Sequence, residues 1–286
     1  MKIIDLLNSG RGTLSCELFP PKAHQPLADA LPIVRETARL RPAFISVTNG
    51  AAGSTGGHTL EVAQAAQGEG VPALAHLVCM GAARSAIDQT LDQLQAAGIQ
   101  NVLALRGDVP PEGPSGQFAH ASQLTAHILS RGDFCVGGAC YPEGHPESPC
   151  MDKDLDYLRH KVDSGCAFLT TQMFFDNNIL YNFMFRLLKK GVDVPVVAGI
   201  MPVTNARQIG RIVKLSGTSL PARFRAIVDR FQDNPAAMAQ AGIAYATDQI
   251  IDLVANGVSH IHLYTMNKPM IAGGIMKNLS EIFPCA

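Results

Sequence analysis

Short apolar runs recur along the chain at near-even spacing, and amphipathic segments separate them. The runs are rich in β-branched residues and end in Gly, Pro or polar residues, which is typical of buried strands. The segments between them carry apolar residues at helical spacing, and several end in a glycine suited to a helix C-terminus. The predicted strands cover residues 13–19, 43–48, 71–77, 101–107, 134–141, 167–175, 194–200 and 259–265.

Eight strands that alternate with helices predict a parallel sheet closed into a (β/α)8 TIM barrel, an α/β fold. A doubly wound open sheet is the alternative, but no GxGxxG pattern follows the first predicted strand. The interval before the eighth strand is longer than the others and predicts an extra helix, "PARFRAIVDRF", within a helical insertion at about 203–240. No linker divides the 286 residues, so we expect one catalytic domain over 1–286.

Composition and charge argue against a nucleic-acid-binding, membrane-binding or secreted protein. A formal net charge of −1 gives no electrostatic signature for binding nucleic acid or an anionic membrane surface. The N-terminal "MKIIDLLNSGRG" lacks the apolar core of a signal peptide, so we expect a cytoplasmic protein. The seven cysteines form no CxxC pair and are expected to be buried free thiols. A metal site at Cys140, His145 and Cys150 is the alternative left open.

Polar residues fall repeatedly where the predicted strands end. In a (β/α)8 barrel these carboxyl ends meet on one face, where the active site is built. A shared pocket explains the whole set better than a series of unrelated solvated loop ends. The set comprises Glu17, Thr48, Asn49, His76, Arg106, Gly107, Asp108, Tyr141, Glu143, His145, Gln172, Tyr264, Thr265, Asn267 and Lys268.

Glu17 is the most unusual member of this set. It stands between apolar neighbours in "CELFPPK" and is followed by two consecutive prolines. A carboxyl group placed there is either an acid with a pKa raised by burial or an outward-facing strand residue. The residues alone leave these two interpretations evenly balanced.

An ordered series of motifs resembles the methylenetetrahydrofolate reductases and spans about residues 13–269. The motifs are "ELFPPK", "FISVTNGA", "AHLVC", "LALRGDVPP", "YPEGHPES", "LRHKVDSGCAFLTTQMFFD", "AGIMPVTN" and "HLYTMNK". The resemblance implies an FAD-containing barrel that reduces 5,10-methylenetetrahydrofolate to 5-methyltetrahydrofolate, a step in one-carbon metabolism and methionine biosynthesis. It further implies NADH or NADPH as electron donor, ping-pong hydride transfer and a homo-oligomer.

The resemblance also implies roles for individual residues. Glu17 matches the family's proton donor, and Asp108 matches an aspartate that binds folate and tunes the flavin. Folate binding is implied for Gln172, Gln208 and Lys268, although many relatives carry Arg in place of Lys268. Contacts to FAD are implied for Thr48, His76, Arg106, Gly107, Asp108, Tyr141, His145, Asp154, His160 and Lys161.

Structural roles stay open for several of these residues. Arg106 could form a salt bridge, Lys161 could lie on a solvated helix face, and Gln208 could be an ordinary helix-surface residue. Relatives often carry Arg where His160 stands. Two other functions also stay open: a non-reductase, methyltransferase-like folate barrel, and a reductase subunit that receives electrons from a partner protein.

Overall fold

Eight parallel strands close into a barrel in the computed structural model of the chain, which confirms the predicted fold. The structure describes residues 1–22, 24–49, 58–109, 113 and 115–283, and the side chains of Gln208, Arg211, Lys214 and Leu215 are outside the description. The strands are β1 (Thr13–Leu18), β2 (Ile45–Val47), β3 (Ala73–Val78), β4 (Asn101–Leu105), β5 (Cys135–Cys140), β6 (Phe168–Thr171), β7 (Val196–Ile200) and β8 (His260–Leu263).

Helices pack around the outside of the barrel and connect its strands. Three of them, which span Asn177–Lys189, Ala206–Ser216 and Pro235–Ala255, follow an Asp or Asn side chain that accepts a hydrogen bond from a backbone N–H of the first turn. The helices are α1 (Ile3–Leu7), α2 (Leu31–Arg39), α3 (Thr59–Gly68), α4 (Arg84–Ala96), α5 (Ala121–Arg131), α6 (Met151–Asp163), α7 (Asn177–Lys189), α8 (Ala206–Ser216), α9 (Ala222–Phe231), α10 (Pro235–Ala255) and α11 (Pro269–Asn278).

Closure of the barrel joins the first strand to the last. Cys16 of β1 pairs with Ile45 of β2 on one side and with Leu263 of β8 on the other. Every residue of β1 is buried, because one face of the strand contacts the helices and the other faces the barrel interior. The side chain of Glu17, which follows Cys16, therefore cannot reach bulk solvent freely.

Helix α1 covers the amino-terminal end of the barrel. Its Ile3 and Leu7 are buried in a cluster with Phe44, which precedes β2, and with Leu74 of β3 and Phe168 of β6. The backbone N–H of Ile3 also donates to the side-chain oxygen of Asn101 at 2.8 Å, at the start of β4. This apolar cluster closes the amino-terminal end of the barrel. A site can therefore open only at the carboxyl end of the strands.

The segment between β7 and β8 contains three helices, α8, α9 and α10. Helix α9 coincides with the extra helix predicted from "PARFRAIVDRF". The predicted sixth strand, by contrast, is too long, because β6 ends at Thr171. Phe174 and Phe175 continue the apolar run but are buried outside the sheet, Phe175 stacked on Phe224 of α9 at 4.8 Å between ring centroids.

No helix in the described part of the chain is both long and apolar enough to cross a membrane. Six of the seven cysteines lie within the described residues as free thiols, and Cys150 alone among these six is exposed. Within the same residues, no three His, Cys, Asp or Glu side chains are grouped closely enough to hold a metal ion.

Candidate active site

A cavity of about 350 Å³ opens at the carboxyl end of the strands and extends down into the barrel. Its volume falls in the range of small-molecule sites. Five of the residues predicted for the site line it: Glu17, His76, Tyr141, Gln172 and Tyr264. The other walls are largely apolar, and they include Leu74, Leu103, Leu105, Ala139, Met173, Met201, Ile212 and Met266.

Glu17 is 7% exposed and its carboxyl group faces this cavity. Burial removes the carboxylate from water and raises the pKa of Glu17 to about 8. The nearest ionisable partner is His76, whose Nε2 lies 4.0 Å from the carboxyl Oε2. At pH 7 most Glu17 side chains are therefore protonated and can donate a proton.

His76 does not form an ion pair with Glu17 despite this proximity. Burial lowers the pKa of His76 to about 4, so its imidazole is neutral at pH 7, where Glu17 is mostly protonated. Its Nε2 atom is buried and has no hydrogen-bond partner within the described residues. A buried polar atom of this kind in a cavity wall calls for a ligand or water as its partner.

The floor of the cavity is a second neutral histidine that sequence reasoning did not assign. Both ring nitrogens of His262 are held by serine hydroxyls, Nδ1 at 2.7 Å from Ser15 Oγ and Nε2 at 2.9 Å from Ser46 Oγ. Burial, the larger cause, and the neighbouring His76 lower the pKa of His262 to about 3. The spacing of two between Ser15 and Glu17 is the signal that could have found this layer, because such residues share a strand face.

Gln172 and Tyr264 line the cavity on the side of β6 and β8. The Gln172 side-chain oxygen accepts a hydrogen bond from the Met173 N–H at 3.0 Å, which leaves its NH₂ group as a donor for a ligand. The Tyr264 hydroxyl donates to the Thr171 carbonyl at 2.5 Å, and burial raises the pKa of this tyrosine. Both tyrosine and glutamine are therefore held in place before any ligand binds.

The rim beside β4 carries an ion pair. Arg106 donates to both carboxylate oxygens of Glu147, at 2.5 and 2.7 Å, and its Nε donates to the Gly107 carbonyl. The salt bridge left open for Arg106 is thus present, at the rim rather than in the core. Gly107 has φ +86°, and a Cβ atom there would lie 2.3 Å from a Val78 methyl group, so local packing already requires a glycine. Asp108 is exposed on this rim and does not line the cavity.

The loop after β5 is organised by Asp154 from the first turn of α6. This buried carboxylate accepts hydrogen bonds from the Ser148 hydroxyl at 2.8 Å and the His145 N–H at 3.2 Å. His145 packs edge-on against Tyr141, with ring centroids 4.6 Å apart. Burial, the larger cause, and Arg106 lower the pKa of His145. Asp154 therefore orders the loop that carries His145.

The remaining predicted residues lie farther from the cavity. Lys161 extends under the β5 loop and donates to the Ala139 carbonyl at 2.6 Å, and burial lowers its pKa, whereas His160 is exposed. Thr48 follows β2 and is half-buried. The ammonium group of Lys268 donates to the Thr204 hydroxyl at 3.1 Å. The side chain of Gln208 lies outside the described residues.

The comparison with known proteins decides the family. A family model described as methylenetetrahydrofolate reductase matches residues 2–280 of the chain. The chain belongs to the methylenetetrahydrofolate reductase family. It is 31% identical over 278 residues to the 5,10-methylenetetrahydrofolate reductase of Escherichia coli, covering 94% of this chain and 91% of that protein.

Plant members of the methylenetetrahydrofolate reductase family are longer. The chain is 36% identical over 304 residues to methylenetetrahydrofolate reductase (NADH) 1 of Arabidopsis thaliana and covers 99% of itself but 51% of that protein. It thus spans about half the length of the plant relatives. A solved structure of an uncharacterized Clostridium thermocellum protein that binds two copies of 5-methyl-5,6,7,8-tetrahydrofolic acid matches with a TM-score of 0.68 at 11% identity, covering 99% of each chain, and shows the shared fold.

Proposed function

We propose that the protein reduces 5,10-methylenetetrahydrofolate to 5-methyltetrahydrofolate, with NADH or NADPH as electron donor and FAD as the bound cofactor. The observation that carries this proposal is the buried acid of β1. Glu17 stands in the cavity of a methylenetetrahydrofolate reductase family member with its pKa raised to about 8. This reaction needs an acid of that kind.

The need for an acid follows from the chemistry of the substrate. The one-carbon bridge of methylenetetrahydrofolate joins two nitrogens, and it must open to an iminium before the carbon can accept a hydride. Opening requires a proton on the departing anilino nitrogen, which is general-acid catalysis. A carboxylic acid with an ordinary pKa is ionised at pH 7, so only burial makes Glu17 a proton donor there.

The two cavity histidines help to keep that proton on Glu17. A cationic imidazole beside the carboxyl group would favour the carboxylate and lower its pKa. His76 and His262 stay neutral above pH values of about 4 and about 3. The cavity therefore contains one acidic proton at neutral pH, and it is on Glu17.

The residues around the cavity mouth fit a flavin cofactor. The Nε2 atom of His76, which no described residue hydrogen-bonds, supplies a polar contact inside a mostly apolar wall, and Tyr141 and His145 add aromatic rings at the rim. FAD, when bound, would accept a hydride from a nicotinamide and return it to the folate. The residues that would hold it are Thr48, His76, Arg106, Gly107, Asp108, Tyr141, His145, Asp154, His160 and Lys161.

Three of these proposed FAD contacts require rearrangement or an indirect role. Arg106 is paired with Glu147, so contact with a cofactor phosphate would involve exchange of that partner. Asp154 is committed to Ser148 and the His145 N–H, so it would act by shaping the loop. Lys161 is half-buried with its ammonium group on the Ala139 carbonyl of β5, so it would act through its charge or by exchanging that partner.

Folate binding is assigned to Gln172, Asp108, Gln208 and Lys268. Gln172 has the strongest support, because its amide lines the cavity with donors available for a pterin edge. Lys268 would have to exchange Thr204 for the substrate, and it lacks the two-pronged geometry that an arginine would offer a carboxylate.

Anaerobic half-reactions of the purified protein test this proposal. The protein is loaded with FAD, reduced separately with NADH and NADPH, and then mixed with methylenetetrahydrofolate. We expect flavin bleaching by at least one nicotinamide and recovery of flavin absorbance on folate addition, with 5-methyltetrahydrofolate as product.

The same experiment separates the rival functions. A methyltransferase-like barrel would retain no flavin and give no folate-dependent reoxidation, which would overturn the proposal. A subunit that depends on an electron-transfer partner would be bleached slowly by both nicotinamides, yet be reoxidised by folate after reduction with dithionite. That result would overturn the direct use of NAD(P)H.

A further inference from the structure

The chain adopts an unusual backbone conformation immediately after β8. Met266 and Asn267 have φ values of +52° and +55°, a left-handed region that residues with side chains rarely occupy. The third non-glycine residue of this kind in the described chain is Arg41, far from the cavity on an exposed turn. Two consecutive left-handed residues beside a candidate active site indicate strain that the surrounding structure must hold.

The side chain of Asn267 forms a double hydrogen bond with the backbone of β1's carboxyl end. Its Oδ1 accepts from the Phe19 N–H at 2.8 Å, and its Nδ2 donates to the Phe19 carbonyl at 2.9 Å. The amide thereby satisfies both backbone groups of one residue, as a neighbouring strand would. Phe19 lies two residues after Glu17, lines the cavity and precedes Pro20.

Thr265 holds Glu17 itself. Its buried hydroxyl donates to the Glu17 carbonyl at 2.6 Å. The regular pairing of β1 with β8 ends at Cys16 and Leu263, so these side-chain bonds continue the connection where the ladder stops. The Lys268 N–H donates to the Thr265 carbonyl at 3.0 Å, which closes the turn containing the two left-handed residues.

We propose that Thr265 and Asn267 are positioning residues for Glu17: together they clamp the backbone at the acid and two residues after it, and thereby fix its carboxyl group in the cavity. The inference rests on the proposed proton-donor role of Glu17. General-acid catalysis needs the acid within hydrogen-bond reach of the departing nitrogen. A displacement of about 1 Å at such a site costs about 10²-fold in rate, so an anchored strand end has a direct catalytic value.

The Asn267→Gly variant tests the positioning role apart from any general loss of fold stability. Glycine tolerates the left-handed backbone without strain but removes both bonds to Phe19. We expect reoxidation of the reduced flavin by methylenetetrahydrofolate to slow by about 10- to 100-fold. Flavin reduction by the nicotinamide should stay within a factor of about two, because it needs no proton from Glu17. Arg41→Gly is the matched control, since it relieves the same backbone strain elsewhere, and it should change neither half-reaction.

Thr265 offers a second, isosteric test. Thr265→Val keeps the shape of the side chain but leaves the Glu17 carbonyl without its hydroxyl donor. It should slow folate reduction selectively, whereas Thr265→Ser should keep the wild-type rate.

An infrared titration of the Glu17 carboxylic acid band adds a readout independent of turnover. In Asn267→Gly and Thr265→Val this band should disappear at lower pH than in the wild type, because a loosened strand end lets water reach the acid.

The Glu17→Gln variant distinguishes a failure of the clamp from a failure of the proposed proton-donor role. If Glu17→Gln blocks folate reduction while Asn267→Gly and Thr265→Val keep the wild-type rate and infrared titration, the clamp is overturned and the proton donor stands. Equal slowing of both half-reactions in the clamp variants would indicate a general structural role and also overturn the inference. If Glu17→Gln reduces folate normally, the proposed function of Glu17 fails, and the clamp with it.

Discussion

At the scale of single residues, burial governs the chemistry of Glu17. Attraction to a nearby cation would have lowered its pKa, but the ionisable side chains that line the cavity with it, among the described residues, are neutral near pH 7: His76 of β3, His262 of β8, and Tyr141 and Tyr264 just after β5 and β8. Desolvation therefore acts unopposed and raises the pKa to about 8. The same burial that makes the residue an acid has a consequence for protein stability.

The stability of the fold should decrease as Glu17 ionises. Because its pKa is higher in the folded than in the unfolded protein, the folded state binds the proton more tightly. The contribution of Glu17 is therefore constant below a pH of about 4.5 and becomes progressively unfavourable up to about pH 8, by a few kcal/mol in total. Above that pH both states are ionised and the contribution is constant again.

Thermal unfolding of the wild type and Glu17→Gln across pH 5 to 9 measures this effect. Glutamine cannot ionise, so the melting temperature of Glu17→Gln should rise relative to that of the wild type as the pH increases, by several degrees overall. A difference in melting temperature that does not depend on pH would contradict the raised pKa.

The sequence predicted part of the cavity lining and left out the rest for a physical reason. Glu17, His76, Tyr141, Gln172 and Tyr264 were predicted from their places at strand ends and do line the cavity. His262 was not assigned, because its importance depends on serines from β1 and β2 that only barrel closure brings to its ring. The partners that occupy Arg106 and Lys268 were likewise not specified by the sequence, since they come from other loops.

At the scale of helices and strands, apolar periodicity was sufficient to place the eight strands but not to fix their ends. The run at 167–175 is continuous in hydrophobicity, yet β6 stops at Thr171 and the phenylalanines beyond it pack against helices. A buried strand and a buried loop carry the same apolar signal, so only tertiary packing separates them. The segment between β7 and β8 illustrates such packing.

Two glycines in that segment should respond oppositely to alanine. Gly242 in α10 contacts the backbone of the segment before α8, and a Cβ atom there would lie 2.0 Å from the Val203 carbonyl oxygen. Alanine favours helix by about 1 kcal/mol, but this clash with backbone outweighs the gain and should destabilise the protein by about 2 kcal/mol or more. For Gly210 in α8, no atom of the described residues beyond its own stretch of helix lies within 4 Å of such a Cβ.

Gly210→Ala is accordingly the matched control for Gly242→Ala. It should stabilise the protein by roughly 0.5 to 1 kcal/mol, since only helix propensity changes. Urea unfolding of both variants gives the two free energies. Similar effects of the same sign at both positions would show that α10 does not approach Val203 as closely as described.

At the scale of the whole molecule, closure of the barrel makes one site from residues that are distant in the chain. The hydrogen bond from Thr265 to the Glu17 carbonyl joins residues 248 positions apart, the first strand to the last. The sequence predicted this closure from the number and spacing of its strands, and it placed "CELFPPK" and "HLYTMNK" at the same face. It could not show that Asn267 and Thr265 touch the backbone around the acid, because such contacts depend on the turn after β8.

Folate reduction by this protein, as proposed, depends on Glu17 as the acid that opens the folate bridge. Rapid mixing under anaerobic conditions, applied to FAD-loaded Glu17→Gln, tests this most directly by following flavin absorbance in each half-reaction. We predict that bleaching by NADH or NADPH keeps its wild-type rate, while reoxidation by methylenetetrahydrofolate slows by at least about 10²-fold. Reoxidation by folate at the wild-type rate, or an equal loss of both rates, would contradict the proton-donor role of Glu17.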